Sequence, residues 1–160
     1  MTIKVGDKIP STKLKYKAAD GVKDITTDEL FGGKKVVLFA LPGAFTPTCS
    51  AKHVPGFVQR AAEIKAKGVD TIACLSVNDA FVMGAWGKEQ NADGKVMMLA
   101  DGNGDFTKAV DLELDARANG LGIRSRRYAM VVENGVVKAL NVEAPGAFEV
   151  SSAEAILKAL

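Results

Sequence analysis

The sequence predicts an α/β protein in which helices cover both faces of a mixed central β-sheet. Three apolar segments, at 36–41, 69–77 and 96–100, have the composition of buried strands, and segments with helical spacing separate them. Strands that are joined through helices pair in parallel, which defines the middle of the sheet. Asn134-Gly135 separates two later strand segments, a strong signal for a β-hairpin that adds antiparallel strands. This arrangement is of thioredoxin-like character.

The N-terminal region is predicted to hold an edge strand followed by a short helix. Over residues 14–18 apolar side chains alternate with lysines, the pattern of a half-buried strand, and Asp20-Gly21 ends it. Residues 26–30 have the sequence of a capped helical turn. The apolar strand at 35–41 then runs into a loop that contains two prolines.

A helix is predicted from about residue 49 to residue 67. Its apolar side chains have helical spacing, Gly68 supplies a stop, and Lys65 suits the negative end of the helix dipole. Pro55 lies inside this segment and predicts a kink, because proline has no backbone N–H to donate.

The next elements continue the alternation of strand and helix. The strand at 69–77 turns at Asn78-Asp79 into a helix that carries Phe81 and Trp86. The strand at 96–100 leads into a turn-rich loop.

The chain is predicted to end in the hairpin and one helix. The hairpin strands lie at 127–133 and 136–142, and residues 151–154 open the helix at 153–160 with the pattern of a capping box. Since the sequence contains no internal repeat, low-complexity stretch or linker, residues 1–160 are interpreted as one domain.

Composition excludes several classes of protein. A chain of 160 residues can bury one sizeable core, and 48% hydrophobic and 25% charged residues are ordinary for a globular protein. A net charge of +2 without a basic block argues against nucleic acid or an anionic membrane as the main partner. Two cysteines and one histidine are too few for a disulfide-rich secreted scaffold or a four-ligand zinc site. Since the N-terminus lacks the apolar core of a signal peptide, we expect a cytoplasmic protein with reduced thiols, unless an organelle-targeting segment has been removed.

The most informative segment for function is the loop at 42–49, which ends in Cys49. The thiol falls where this proline-stiffened loop meets the N-terminus of a predicted helix. Unpaired backbone N–H groups and the helix dipole favour negative charge there, so we expect Cys49 to react as a thiolate. The alternative is a buried structural cysteine after a turn, which the specialised sequence of the loop disfavours.

Two kinds of side chain are expected to complete a site around this thiol. Thr46 precedes Cys49 by three residues, and its hydroxyl can bind a small oxygen-bearing ligand. A cation is expected from Arg124, Arg126 and Arg127, which precede an apolar strand whose end can approach the loop. Arg127 adjoins that strand directly and is the best candidate to point inward, whereas the other two arginines are expected on a solvated rim.

The loop resembles the active-site signature of peroxiredoxins, Pro-x-x-x-Thr-x-x-Cys, with Pro42, Thr46 and Cys49 at its defined positions. The chain is most similar to the subfamily called type II or peroxiredoxin-5-like, within the thioredoxin-like superfamily. The similarity extends over nearly the whole chain. Further matching segments lie at 52–57, 75–82, 99–101, 124–128 and 148–153.

The resemblance implies a thiol-dependent peroxidase that reduces hydrogen peroxide and alkyl hydroperoxides. Cys49 would be the peroxidatic cysteine, which becomes a sulfenic acid when it attacks the peroxide. Thr46 would hold the peroxide and Pro42 would shield the site from water. Arg127 would be the active-site arginine. The resemblance also implies a homodimer and requires no metal or organic cofactor.

The sequence leaves the regeneration of the thiol open between two routes. Cys-x-x-Cys is absent because residue 52 is Lys, and Cys74 lies within a predicted buried strand, where packing is the default role. Some plant type II relatives are proposed to use a cysteine at this position, and others carry a cysteine near the C-terminus, where this chain has none. We therefore expect an external thiol, from glutaredoxin with glutathione or from thioredoxin, with resolution by Cys74 as the alternative.

Two further functions are weighed against the peroxidase. A cysteine hydrolase would pair Cys49 with His53, four residues later on the same helix face. No Asn or Asp is clearly placed to orient the ring, so His53 is interpreted as a polar helix residue near the site. The other function is a peroxide-sensing or holdase-like dimer that relays oxidation to a partner, and it also uses Cys49.

Overall fold

A mixed β-sheet of seven strands with helices on both faces forms the centre of the protein, as the sequence predicts. The computed structural model describes residues 1–160. The strands are β1 (Lys13–Ala18), β2 (Gly21–Thr26), β3 (Lys35–Ala40), β4 (Thr71–Ser76), β5 (Met97–Ala100), β6 (Glu113–Asp115), β7 (Ile123–Ser125), β8 (Tyr128–Glu133) and β9 (Val136–Val142). The helices are α1 (Thr27–Phe31), α2 (Val54–Gln59), α3 (Ala61–Ala66), α4 (Ala80–Glu89), α5 (Asp105–Ala109) and α6 (Ala153–Ala159), with a π-helical turn at Cys49–His53 and a 3₁₀ turn at Arg117–Asn119.

The strand order across the sheet is β2-β1-β5-β4-β3-β8-β9. β3, β4 and β5 pair in parallel, whereas β8 pairs antiparallel with β3, and β9 pairs antiparallel with β8. The predicted parallel centre and antiparallel hairpin are therefore confirmed. β6 and β7 form a separate two-stranded antiparallel sheet.

The side chains of β3 alternate between two cores, one on each face of the sheet. Val37 and Phe39 belong to the core under α2, α3, α4 and α6, whereas Val36 and Leu38 belong to the core under α1 and α5. Because both faces of the strand are covered, every side chain from 36 to 40 is buried. This is why the strand is visible in the sequence as a continuous apolar run.

The predicted hairpin turn at Asn134-Gly135 is confirmed. The two residues have φ angles of 46° and 78°, and a type I′ turn requires positive φ at both positions. Glycine adopts this conformation without a steric penalty, and asparagine tolerates it. The Gly33 N–H donates to Asn134 Oδ1 at 2.7 Å, which attaches the turn to the loop before β3.

The prediction of an edge strand at 14–18 is wrong in its placement. β1 pairs with β2 on one side and with β5 on the other, so that β2 forms the edge. β2 is difficult to predict because most of its side chains face solvent and it lacks an apolar alternation. The sequence analysis also misses α5 and the β6–β7 hairpin, which are too short to develop a clear periodicity.

The predicted capped turn at 26–30 is confirmed, whereas the capping box predicted for the last helix is only partly found. At α1 the box is present, because Thr26 and Glu29 each accept a hydrogen bond from the other's backbone N–H. At α6 the cap is Ser152, which accepts from Ala155 N at 3.1 Å. The third helical position is therefore Ala155 rather than Glu154, so this end has a cap but no box.

The single helix predicted over 49–67 is divided into three parts. Cys49–His53 is a π-helical turn in which the Val54 N–H donates to the Cys49 carbonyl. Pro55, the second residue of α2, has no N–H with which to continue the ordinary α-helical pattern upstream. A second break at Arg60 separates α2 from α3. The predicted irregularity at Pro55 is therefore found, but it takes the form of a π turn that contains Cys49.

Candidate active site

The topology of the sheet brings Cys49 and Arg127 to the same end of β3. Cys49 begins the π turn after the loop that leaves β3, and Arg127 immediately precedes β8. β8 runs antiparallel to β3 with Ala40 opposite Tyr128, so the exit of one strand lies beside the entry of the other. Residues far apart in sequence are thereby placed next to each other.

The Arg127 guanidinium lies directly against the thiol, as the sequence analysis expects. Its Nη2 donates to Cys49 Sγ at 3.2 Å, and its Nη1 donates to His53 Nδ1 at 2.9 Å. Cys49 itself is completely buried. A structural cysteine needs no cation, so this contact argues for a chemical role even though the residue is enclosed.

His53 lies near the site, as the sequence indicates, and is fully buried and neutral between Arg127 and Ser151. Its Nε2 lies 3.0 Å from the Ser151 carbonyl, which can only accept, so Nε2 carries the hydrogen and Nδ1 accepts from Arg127. Burial, together with the neighbouring charge of Arg127, lowers the pKa of His53 to about 3. Both ring nitrogens are occupied, so the imidazole is not available as the base of a cysteine hydrolase.

This burial predicts that the protein loses stability below neutral pH. His53 is uncharged when folded, but it binds a proton at about pH 6.5 when unfolded. The unfolded state thus binds more protons between pH 6.5 and about 3, and stability falls as the pH drops through this window. We expect a decline of up to about 1.4 kcal/mol in the free energy of unfolding per pH unit.

Denaturant unfolding at pH 7.0, 6.0 and 5.5 measures this dependence. Because His53 is the only histidine, a His53→Gln protein is the matched reference. Its stability should vary much less over the same interval. Equal pH dependence in the two proteins would refute the assignment of a neutral buried imidazole.

The loop before Cys49 is held by its own backbone and by a second arginine. Thr46 Oγ1 donates to the Gly43 carbonyl at 2.6 Å, and Arg124 Nη1 donates to the Pro42 carbonyl at 3.1 Å. A Cβ at Gly43 would lie 2.6 Å from Arg124 Nη1, so a side chain there would displace the end of the Arg124 side chain. Pro42 and Thr46 are both half-buried beside the buried thiol.

The expectation of a solvated rim for the other two arginines is wrong. Arg124 is half-buried and also donates through Nε to the Leu121 carbonyl at 2.8 Å. Arg126 is half-buried and donates through Nη2 to the Glu143 carbonyl at 3.3 Å. These roles are not visible in the sequence because Arg124 also binds the Pro42 carbonyl and Arg126 binds the Glu143 carbonyl, and both acceptors belong to other segments of the chain.

Cys74 lies in the same core as Cys49 but in a different environment. It is fully buried in the central strand β4, and neither cysteine forms a disulfide. Burial raises the pKa of the Cys74 thiol well above its usual value, and the nearby Cys49 adds to the shift. The thiol is thus kept protonated, which suits packing better than nucleophilic attack.

Three aromatic residues in the active loop and in α4 comprise one buried and two exposed rings. Trp86 is fully buried and its Nε1 donates to Ser50 Oγ at 3.0 Å, next to the thiol in sequence. Phe45 in the active loop is 50% exposed, and Phe81 in the first turn of α4 is 68% exposed. None of the helices has the length and apolar composition needed to cross a bilayer.

Comparison with known proteins gives consistent matches over the whole chain. The family model described as Redoxin matches residues 4–157. Peroxiredoxin-2E, chloroplastic, of Arabidopsis thaliana is 57% identical over 99% of this chain and 70% of its own length. The crystal structure of reduced Prx3 in complex with H₂O₂ from Vibrio vulnificus is 56% identical, with a TM-score of 0.95 and 99% of each chain covered. Peroxiredoxin 5 from Alvinella pompejana is 37% identical, with a TM-score of 0.87 and 98% and 97% of the two chains covered.

Proposed function

The chain belongs to the Redoxin family as a type II peroxiredoxin and is a thiol-dependent peroxidase, and from this premise we propose that Cys49 is the sulfur that attacks the peroxide. The contact between Arg127 Nη2 and Cys49 Sγ, at 3.2 Å, is the observation that carries the proposal. A guanidinium donor at this distance can stabilise negative charge on the sulfur during the reaction, and the thiolate is the reactive form of cysteine.

The reaction is a displacement at the terminal oxygen of the hydroperoxide. The Cys49 thiolate forms an S–O bond while the O–O bond breaks, and the sulfur is oxidised to a sulfenic acid. The departing alkoxide or hydroxide takes a proton and leaves as an alcohol or water. Arg127 is the donor placed to stabilise the negative charge that moves from sulfur to the departing oxygen.

Thr46 and Pro42 are proposed to hold and enclose the peroxide. The Thr46 hydroxyl already donates to the Gly43 carbonyl, so it meets a ligand with its lone pairs and can accept the peroxide O–H. Pro42 offers an apolar wall, and its carbonyl is held by Arg124. Because Cys49 is fully buried, entry of the peroxide requires a local movement of the loop at 42–48.

An external thiol is proposed to reduce the sulfenic acid, with glutaredoxin and glutathione or thioredoxin as the source. The environment of Cys74 supports this choice, since its thiol is fully buried and held in the protonated form. An internal disulfide would also need an accessible sulfur on Cys74, which this fully buried residue in the middle of β4 does not offer.

The Cys74→Ser protein is therefore expected to turn over hydroperoxide at close to the wild-type steady-state rate. Serine nearly preserves the volume of the side chain, and the reducing thiol comes from outside. Steady-state assays with glutaredoxin plus glutathione, and separately with thioredoxin, measure the rate and also identify the preferred reductant. If turnover collapses while the first oxidation of Cys49 persists, Cys74 is the resolving residue and the external route is wrong.

A homodimer and a cytoplasmic location complete the proposal. Phe45 and Phe81 flank the site with largely exposed rings, and exposed aromatic surface of this kind is typical of a protein interface. Sedimentation at the mass of a single 16.8 kDa chain would contradict the dimer.

The cytoplasmic location stays a prediction, which imaging of the tagged full-length protein can test. No observation favours the alternative of a peroxide-sensing or holdase-like dimer.

A further inference from the structure

We propose that Glu143 is a positioning residue for peroxide reduction and acts through Arg127, an inference that rests on the roles proposed above for Cys49 and Arg127. Glu143 follows β9 and is buried, with an exposed fraction of 4%. A carboxylate is rarely buried unless its oxygens are hydrogen-bonded, so its partners indicate what it holds in place.

The carboxylate of Glu143 binds several residues of the loop before α6. Its Oε2 accepts from the backbone N–H groups of Glu149, Val150 and Ser151 and from Ser151 Oγ, at distances between 2.7 and 2.9 Å. Burial raises the pKa of Glu143, but these hydrogen bonds outweigh it and bring the pKa below its ordinary value. The loop is therefore bound to a carboxylate that stays ionised at neutral pH.

Ser151 connects this loop to the reacting sulfur. Its carbonyl accepts from His53 Nε2 at 3.0 Å, and His53 Nδ1 accepts from Arg127 Nη1 at 2.9 Å. The other guanidinium nitrogen, Nη2, donates to Cys49 Sγ at 3.2 Å. The orientation of the guanidinium thus depends on the position of Ser151. The hydrogen bonds from Ser151 to Glu143 fix that position.

The main chain of Glu143 contacts Arg127 directly and so completes a ring of hydrogen-bonded residues. Its N–H donates to the Arg127 carbonyl at 2.9 Å, which continues the pairing of β8 with β9 by one residue. Arg127 is therefore held at both ends, at its backbone directly and at its guanidinium through Ser151 and His53. Phe148 of the same loop packs 5.1 Å from the His53 ring and 5.9 Å from the Arg127 guanidinium carbon. Such a closed arrangement preorganises the donor before the peroxide arrives.

The Glu143→Gln protein tests the proposal. Glutamine has the same shape and can place its amide oxygen where Oε2 lies, but this oxygen carries no charge, so its hydrogen bonds to the loop are weaker and the loop is held less firmly. We expect the second-order rate of Cys49 oxidation by hydrogen peroxide to fall by about 10- to 100-fold, because a small misplacement of a reacting group can cost about 10²-fold. Stopped-flow fluorescence measures this rate, since the only tryptophan, Trp86, is hydrogen-bonded to Ser50 beside the thiol.

Glu149→Gln is the matched control. It makes the same change of charge in the same loop, but its side chain is exposed and only its backbone N–H contacts Glu143. The rate of this variant should equal that of the wild type. An equal loss of rate in the Glu143 and Glu149 variants would overturn the proposal, because it would indicate an effect of net charge rather than of position.

A double-mutant cycle separates positioning from a general loss of stability. If Glu143 acts through Arg127, Glu143→Gln should cost no more than about twofold in an Arg127→Lys background, since coupled residues are not additive. A wild-type rate in the single Glu143→Gln variant, or the same loss in both backgrounds, would overturn the proposal. If the Glu143→Gln protein does not fold, Glu143→Asp replaces it in the same double-mutant cycle. Aspartate is shorter by one methylene, so its carboxylate is withdrawn from the loop. An unchanged rate in Arg127→Lys alone would contradict the proposed role of Arg127 instead.

Discussion

A Cys49→Ser protein should consume hydroperoxide no faster than an enzyme-free control. A serine hydroxyl is a weak nucleophile unless an adjacent base removes its proton. The only base beside residue 49 is His53, and both of its ring nitrogens are occupied by Arg127 and Ser151. Peroxide loss in the presence of glutaredoxin plus glutathione, and in a second assay with thioredoxin, measures the effect.

The Cys74→Ser protein serves as the control for this experiment. It also replaces a fully buried free cysteine by serine, but in β4, away from the Arg127 contact. Its first oxidation by hydrogen peroxide should proceed at the wild-type rate. Peroxide consumption that survives in the Cys49→Ser protein would show that another group carries the chemistry.

An Arg127→Lys protein should react with hydrogen peroxide about 10²- to 10³-fold more slowly, the usual cost of removing one preorganised donor from a reacting oxygen. The guanidinium donates to Cys49 and to His53 with two different nitrogens at once. An ammonium group is a point charge on a flexible stem and cannot maintain this fork. The charge is retained, so the loss reports geometry rather than net charge.

The measurement is again the rate of Cys49 oxidation, followed by the fluorescence of Trp86. Arg117→Lys is the matched control, because Arg117 lies in an exposed 3₁₀ turn and pairs only with Asp115. The control should retain the wild-type rate. If Arg127→Lys reacts as fast as this control, the guanidinium does not contribute to the reaction at Cys49.

The main elements of the fold were predictable because their signals are local. The run from 36 to 41 is apolar throughout because β3 is buried on both faces, and Asn134-Gly135 suits the positive φ angles of its turn. β2 was not predictable, since most of its side chains face solvent and its role as a strand depends on pairing with β1. The irregular helix was predictable at Pro55, but its π-helical form was not.

The candidate site was predictable in its reacting group and only partly in its surroundings. Cys49, Thr46 and Pro42 lie within one short segment, and Arg127 adjoins an apolar strand, so their types and order carry a signal. The burial of His53 and Arg124 was not predicted, because polar side chains are ordinarily exposed. Their burial depends on contacts with Ser151 and with Pro42, which are far away in the chain.

The sequence by itself determined the kind of sheet, the position of the thiol and the identity of the cation. These follow from periodicity and from short motifs, which act over a few residues. Only the tertiary structure decided that His53 is neutral and that Glu143 is joined to Arg127 through Ser151 and His53. Protonation and hydrogen bonding at these positions depend on burial, and burial is set by segments that meet only when the chain has folded.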